Sequence, residues 1–588
     1  MEGEMMGDQW FIGVDVGTGS ARACVSDNLG KVLAVSERPI SGINHPKHFE
    51  FITQSSTEIW EAVKEAVKEA IRDSISCVEG PVGVISGIGF AATCSLVVLQ
   101  VQEDEGKLVP YAVDFEFQNK DQNIVLWMDH RCDKETDEIN DACKDDPILN
   151  YIGGGFLPEM AIPKLKYLID HIPAKDLEKI LFMEFHDYLS IKAACDDDLT
   201  LYYKISNFDD GYDNYSNTST KIKMALDGSL KGWSKDYFQK FGLAKLYENN
   251  FQLIGRLGPK SDNLNYLPLP YAGSKIGKVC PSIASQLGIP ETTVIGHGVI
   301  DCYAGWISTV CAKDLSNTLS MVAGTSTCFL IAHNIDSFIP GIWGPFSGLI
   351  KDYYISEGGQ SATGGLIEHL FNSHPAYNEL IKLSTLENKN VYQFLDDYLN
   401  LLAKEQNLPT VHYLTKHMFL YGDILGNRTP YNNPQMRGSF IGESNDLSIK
   451  NLALKYLCIL EFISFETKQI IETLEKGSHK IDKISISGSQ SQNVKFVQML
   501  SLITSKPVII GNNPKYTVVR GASLIGNAAY QGKDIKDVMK ELNVSGKVLN
   551  YSDNGILKQF LDTKYQIMVD MAESQIRYRK LIETTLNS

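Results

Sequence analysis

The chain has 588 residues, a formal net charge of -16 and 43% apolar residues, enough for large cores in two or more domains. The negative charge argues against a surface that binds nucleic acid or anionic membranes. No apolar run is as long as a membrane span, and the first ten residues are acidic where a signal peptide is basic and then apolar. The 11 cysteines form no C-x-x-C pair, which is typical of reduced thiols, and we expect a cytoplasmic protein.

The opening stretch WFIGVDVGTGSARACVSDNLGKVLAVSERPI, residues 10–40, predicts a strand, a glycine turn and two further strands. It is not a dinucleotide fingerprint, because the third glycine is missing, and no Gly-Lys pair in the chain continues as a Walker loop. Backbone N–H groups of the turn can face an anion, and Asp15 can offer a carboxylate to a hydrated divalent cation. From these residues alone, an ordinary hairpin is an equal alternative.

Further along, strand patterns alternate with helical ones, which predicts an α/β fold. Residues 57–73 predict a helix whose apolar face comprises Ile59, Trp60, Val63, Val67 and Ile71. Residues 82–99 then predict two buried strands separated by a polar turn. Residues 206–221, rich in Asp, Asn, Ser and Tyr, predict a surface loop, and helical patterns return at 447–476 and 556–584.

The opening pattern occurs a second time at residues 317–332, NTLSMVAGTSTCFLIA. An apolar strand again leads into a small polar turn, at 324–327, and a second apolar strand follows. Either hairpin alone could be structural. Together they indicate two related domains that face each other across a nucleotide.

These motifs, with others in the same order, resemble the FGGY carbohydrate kinases, and within them the pentulose kinases near D-ribulokinase. The resemblance runs from residue 10 to about 545 and rests on DVGTGSARA, QSSTEIW, ATCSLVVL, VLWMDHR, LPEMAIPKLKYL, GHGVIDCYAGW, VAGTSTC, EGGQSATGG, GNRTPYNNPQMRG, GSFIGESNDLSIKNLALKYLCILEFISFE and SISGSQSQN. It implies two actin/Hsp70-like (ribonuclease H-like) domains, at 10–297 and 298–550, with a nucleotide and sugar cleft between them. A helical extension is expected at 551–588.

The resemblance implies that ATP phosphorylates the terminal hydroxyl of a pentulose, which we expect to be D-ribulose, with Mg²⁺ as cofactor. Such a transfer depends on positioning, charge stabilisation and a base for the attacking hydroxyl. Asp301 is the expected base, and a helix N-cap is its alternative role. Asp15 is expected to bind magnesium through water. The residues expected at the nucleotide are Thr18, Gly19, Ser20, Arg22, Gly324, Thr325 and Ser326 at the phosphates, and Gly488, Ser489, Gln490 and Asn493 at adenosine.

For the sugar, the resemblance gives seven residues: Cys94, Ser95, Trp127, Asp129, His130, Lys204 and Asp301. The Asp129 carboxylate could bridge two vicinal hydroxyls, whereas a core role is the alternative for Trp127 and His130. Two positions depart from the family pattern and concern sugar selectivity. LTLYYKISNF surrounds Lys204 where relatives have a Ser-Leu-Cys type stretch and a Lys-Trp pair, and Asn433 stands where they usually have Asp.

Other functions stay open at this point. The acceptor could be another ketose or polyol, such as L-ribulose, D-xylulose or ribitol. A sensor without catalysis could dispense with Asp15 or Asp301, and an actin- or Hsp70-like ATPase would not need ATCSLVVL and LWMDHR. We expect small-molecule partners, the sugar and ATP, with no nucleic acid or membrane, and a monomer or homodimer.

Overall fold

The computed structural model describes residues 8–206, 235–248, 252–254, 271–310, 312–334, 337–347, 349–541, 546–553 and 555–586. The surface loop predicted at 206–221 lies outside these residues, apart from Ser206 at the end of a helix. Strands and helices alternate along most of the chain, so the predicted α/β class is confirmed. Within the described residues, no helix has both the length and the apolar character needed to cross a membrane.

The strands are numbered here in chain order. They are β1 Gln9–Val16, β2 Ser20–Ser26, β3 Val32–Pro39, β4 Ile43–Asn44, β5 Ile52–Gln54, β6 Val84–Ala92, β7 Leu96–Gln102, β8 Lys107–Pro110, β9 Ile124–Val125, β10 Ile180–Glu184, β11 Lys275–Lys278, β12 Val294–Gly296, β13 Val299–Ile300, β14 Thr318–Ala323, β15 Thr327–His333, β16 Trp343–Ser347, β17 Tyr354–Gln360, β18 Phe419–Tyr421, β19 Ser439–Ile441, β20 Lys483–Ser487, β21 Val508–Gly511 and β22 Gly546–Leu549.

The helices are named by their bounds. They are Ser56–Ser76, Asp133–Ala142, Ala161–His171, Ala174–Leu177, Phe185–Cys195, Leu199–Ser206, Lys235–Lys240, Lys245–Glu248, Pro281–Leu287, Asp301–Thr309, Gly364–Ser373, Tyr377–Leu386, Val391–Glu405, Ile449–Lys476, Val494–Thr504, Thr517–Gln531, Ile535–Glu541 and Ile556–Leu586. The helices predicted at 57–73, 447–476 and 556–584 are therefore confirmed, as are the strands of both glycine hairpins.

Two of the sheets have the same strand order and directions. In the first sheet the order is β11-β12-β6-β1-β2-β3, and in the second it is β22-β21-β20-β14-β15-β17, which continues to β16. In each, the glycine hairpin is antiparallel and its first strand pairs in parallel with a later strand, β6 or β20. The outermost pair at the far edge is antiparallel in both. The repeated hairpin in the sequence therefore corresponds to a repeated sheet topology.

The helix Thr517–Gln531 joins the two halves, because it packs on β6 and β1 of the first sheet. The helix lies so close to β1 and β6 that these strands need glycine where they meet it. A Cβ on Gly13 would lie 2.0 Å from the Val519 carbonyl oxygen, and one on Gly89 would lie 2.2 Å from that of Ala522. We call this contact the glycine seam.

The last helix, Ile556–Leu586, packs on the core of the second half through Leu561, Tyr565, Met568, Met571 and Ala572. A buried ion pair between Lys564 and Glu461 fixes its position, and Lys564 also donates to the Thr415 carbonyl at 3.0 Å. The domain limits at 297 and 550 stay predictions. Strand β13 follows the limit at 297 in the sequence but belongs to the first sheet, since residues 299–300 pair with β6.

Candidate active site

The two glycine turns meet at one cleft of about 560 Å³ between the halves. The start of the helix Asp301–Thr309 and the turn after β20 also line it. Thirteen of the predicted site residues face this cleft: Asp15, Thr18, Gly19, Ser20, Arg22, Cys94, Trp127, Asp301, Gly324, Thr325, Ser326, Gly488 and Ser489. Residues from distant parts of the sequence thus share one surface.

Asp15 lies at the end of β1 with only 3% of its surface exposed. The strand register places it opposite Arg22, whose Nη1 donates to its Oδ2 at 3.4 Å, while Nε of the same guanidinium donates to Glu37 Oε1 at 3.0 Å. Asp15 Oδ1 is buried and has no hydrogen-bond partner among the described residues. Burial raises the pKa of Asp15 to about 6, and Arg22 acts in the opposite direction. The carboxylate is therefore mainly ionised at neutral pH and keeps one oxygen for a cation.

The two glycine turns offer open space beside their backbones. The Gly17 N–H donates to the Ser20 carbonyl at 2.9 Å, and the Gly324 N–H donates to the Ser326 carbonyl at the same distance. A Cβ on Gly19 would have no heavy atom within 4 Å, and one on Gly324 would come no closer than 3.8 Å to any. An anionic group can therefore approach the main chain at both turns.

Asp301 is the first residue of the helix Asp301–Thr309, and its carboxylate accepts a hydrogen bond from the Cys302 N–H at 2.7 Å. The N-cap position belongs to Ile300, whose side chain makes no capping bond. The N-cap role considered for Asp301 is therefore not the one that the structure shows. The carboxylate lies in the first turn of the helix and lines the cleft.

The turn after β20 contacts the second hairpin at Gly488, whose φ is +84°. A Cβ there would lie 2.3 Å from the Ala323 carbonyl oxygen, so a side chain is excluded. Two predicted adenosine residues do not line the cleft. Gln490 is buried beside Gly364, and Asn493 caps the helix Val494–Thr504 by accepting from the Phe496 N–H at 3.1 Å.

Trp127 lines the cleft, and its Nε1 donates to Thr18 Oγ1 at 3.0 Å. This bond joins a residue predicted to contact the sugar to the first glycine turn. Ser95 is buried and does not line the cleft; its hydroxyl accepts from the backbone N–H of Trp127 at 3.2 Å and so holds the main chain that carries the indole.

Three other predicted sugar residues lie elsewhere. Asp129 is fully buried, and its two oxygens each accept from Arg131 at 2.8 Å, so the structure does not bring them to the cleft. His130 lines an adjoining cavity of about 390 Å³, which shares Trp127 with the cleft. Lys204 is exposed on the helix Leu199–Ser206 and lines neither space. The side chain of Asn433 closes a local turn by accepting from the Gln435 N–H at 2.9 Å.

The cleft also contains charged residues that sequence reasoning missed. Arg428 is 8% exposed, makes an ion pair with Glu159 and lies over the Trp127 ring at 5.3 Å. Glu357 accepts from the Tyr303 hydroxyl at 2.8 Å. A signal for all three was present, because they are the charged residues of LPEMAIP, EGGQ and GNRTP, three of the motifs on which the family resemblance rests.

Comparison with known proteins agrees with this arrangement. The models of the N-terminal and C-terminal domains of the FGGY family of carbohydrate kinases match residues 10–196 and 319–530. A D-ribulokinase of Saccharomyces cerevisiae is 38% identical over 90% of this chain and 72% of its own length. Protein MPA43 of the same yeast is 31% identical over 97% of both chains.

A solved structure shows the same fold. The ligand-bound xylulose kinase of Lactobacillus acidophilus superposes with a TM-score of 0.71 at 16% identity, over 96% of this chain and 98% of that one. The chain therefore has the two-domain fold of these kinases. It belongs to the FGGY family of carbohydrate kinases.

Proposed function

We propose that the protein phosphorylates a pentulose at its terminal hydroxyl with ATP, and that the pentulose is D-ribulose, which becomes D-ribulose 5-phosphate. The observation that carries the proposal is the shared cleft, in which two glycine turns, Asp15 and Asp301 face the same space. Phosphoryl transfer needs this set: donors for the phosphates, a carboxylate for the metal and a base for the acceptor.

The residues present fit a nucleotide with magnesium. The open space beside Gly19 and Gly324 suits phosphate oxygens, and the guanidinium of Arg22 suits their charge. The buried Oδ1 of Asp15 suits a magnesium ion that keeps most of its water. Magnesium bound there would neutralise charge that develops on the phosphates during the transfer.

Asp301 supplies the proton chemistry. Its carboxylate takes the proton of the terminal sugar hydroxyl while the hydroxyl oxygen bonds to the terminal phosphorus and the bond to the leaving ADP breaks. The hydrogen bond to Thr18 orients the Trp127 indole, which lines the part of the cleft that we assign to the sugar. Closure of the two halves would exclude water, which would otherwise compete as acceptor.

The choice of D-ribulose is supported by the yeast D-ribulokinase, which is 38% identical to this chain, and by DVGTGSARA and ATCSLVV in the sequence. A coupled assay of ADP release with D-ribulose, L-ribulose, D-xylulose and ribitol tests it. We expect D-ribulose to give the highest kcat/KM. A higher kcat/KM for another acceptor would change the proposed substrate but would leave the proposed kinase activity in place.

Two further outcomes of the same assay would reject the kinase itself. ADP release that is equal with and without every sugar would show an ATPase, and no release with any of them would favour a sensor. The matched control is Asp314→Asn, since Asp314 makes a surface ion pair with Lys483 outside the cleft and its loss should leave the rates unchanged.

A further inference from the structure

One cluster in the cleft has no part in the proposed transfer. The Sγ atoms of Cys302 and Cys328 and a carboxylate oxygen of Glu357 all lie within 4.8 Å of one another. The three residues come from the helix Asp301–Thr309, from β15 and from β17, and all line the cleft. The three residues belong to separate elements of the chain, so it is the fold that brings their side chains together.

The sheet register brings two of the three together. Cys328 pairs with Gly359 and Leu330 pairs with Glu357, so Cys328 and Glu357 are diagonal neighbours on one face of the second sheet. Cys302, in the first turn of its helix, packs over that face. The Tyr303 hydroxyl donates to Glu357 at 2.8 Å, a bond that holds the carboxylate in a fixed orientation.

The donor types select a class of ion. Two sulfur donors and one carboxylate are characteristic of zinc and of similar soft or borderline cations, whereas magnesium takes oxygen ligands. Arg428, which lines the same cleft, is itself paired with Glu159, and this pair offsets its repulsion of a cation. The cluster therefore differs in chemistry from the oxygen site expected at Asp15.

We propose that Cys302, Cys328 and Glu357 form a binding site for a soft divalent cation such as Zn²⁺. Each thiol releases its proton to solvent as its sulfur bonds to the metal. All three residues line the cleft that Asp301 also lines, so an ion bound there would occupy part of the space that the acceptor enters, a consequence that rests on the proposed function.

The test uses Co²⁺ as a spectroscopic probe of the full-length protein in the absence of nucleotide and sugar. Cobalt bound to thiolates gives a near-ultraviolet charge-transfer band, which added Zn²⁺ should abolish by displacement. We expect the band in the parent protein and in Cys77→Ser, which removes the exposed thiol at the end of the helix Ser56–Ser76. Cys302→Ser and Cys328→Ser, checked for native circular dichroism, should each lose the affinity at least about 10- to 100-fold.

Glu357→Gln separates the site from a mere effect on folding. It keeps both thiols and an acceptor for Tyr303, so the band should persist while the affinity for Co²⁺ falls. The proposal is overturned if the parent gives no band, if the band survives in the Cys302→Ser, Cys328→Ser double variant, or if Cys77→Ser abolishes it. Inhibition of ADP release by Zn²⁺ is a separate readout, and its failure beside a positive band would reject only the link to the acceptor.

Discussion

The two glycine hairpins occupy the same place in sheets of the same strand order, yet they carry different side chains. In the first hairpin, the second pair of residues before the turn is Asp15 and Arg22. In the second hairpin the equivalent pair is Val322 and Cys328. The backbone geometry is thus repeated, whereas the charge is present in one hairpin only.

The next strand shows the same difference. Arg22 lies opposite Glu37 of β3, and Cys328 lies opposite Gly359 of β17. The missing side chain at Gly359 leaves room for Arg428, since a Cβ there would meet its Cδ at 2.9 Å. A duplicated fold can therefore place a carboxylate and a guanidinium on one hairpin and leave the equivalent positions of the other hairpin free for different contacts. The following experiments test that division.

The largest effect is expected at Asp301, which lies near the start of the second half of the chain. Asp301→Asn keeps the size and the bond to the Cys302 N–H but cannot take a proton, so kcat should fall by about 10² to 10⁴. Calorimetry should give a D-ribulose affinity within a few-fold of the parent, roughly 1 kcal/mol or less. Unchanged kcat would move the base elsewhere in the cleft.

The second experiment removes the charge of the first hairpin. Asp15→Asn should raise the Mg²⁺ concentration for half-maximal turnover by roughly 10- to 100-fold, the usual loss when an outer partner of a metal is removed. Sugar binding should change far less. A parent-like magnesium titration would show that Asp15 takes no part in binding magnesium.

A pair of glycine variants separates space for a ligand from space for the protein. Gly488→Ala should lower the free energy of unfolding by about 1–3 kcal/mol, because its φ of +84° and the Ala323 carbonyl exclude a side chain. Gly19→Ala should change it by only about 0.5 kcal/mol, since nothing lies within 4 Å, yet raise the KM for ATP. If chemical denaturation instead shows a larger loss of unfolding free energy for Gly19→Ala than for Gly488→Ala, the protein itself needs the space beside Gly19. Gly19 would then be removed from the proposed phosphate site.

The smallest signal is expected from the shape of the whole molecule. Because the two turns belong to different halves, an ATP analogue together with D-ribulose should close the cleft. Small-angle scattering should then show a reduced radius of gyration that neither ligand gives alone. Equal radii in all states would argue for a rigid cleft.

Local signals explain what the sequence predicted well. The hairpins and the helix at 57–73 depend on turn residues and apolar periodicity within a few neighbours. Pairs of charged side chains depend also on how the chain folds, which a local pattern does not show. The sequence around Asp129 indicates a carboxylate near the sugar, but nothing in it shows that Arg131 folds back onto both oxygens.

Contacts between distant parts of the chain were beyond prediction for a similar reason. Arg428 reaches Trp127 only in the assembled fold, where it lies beside Gly359 of β17. Lys204 lies on a helix whose packing turns it towards solvent, and no local pattern distinguishes that face from one lining a cleft. Family resemblance identified motifs that contribute to the cleft, whereas the fold was needed to tell which residues of each motif line it.

The glycine seam has a consequence for biosynthesis. The ribosome delivers β1 and β6 early, but the helix that covers them, Thr517–Gln531, is among the last elements to emerge. Until then the apolar face around Gly13 and Gly89 is uncovered, and nascent chains with such surfaces are prone to aggregate and to engage chaperones. A chain that stalls before residue 517 has every strand of its first sheet but not the helix that covers one face of it, so truncated products should be cleared by proteolysis rather than accumulate as a stable half.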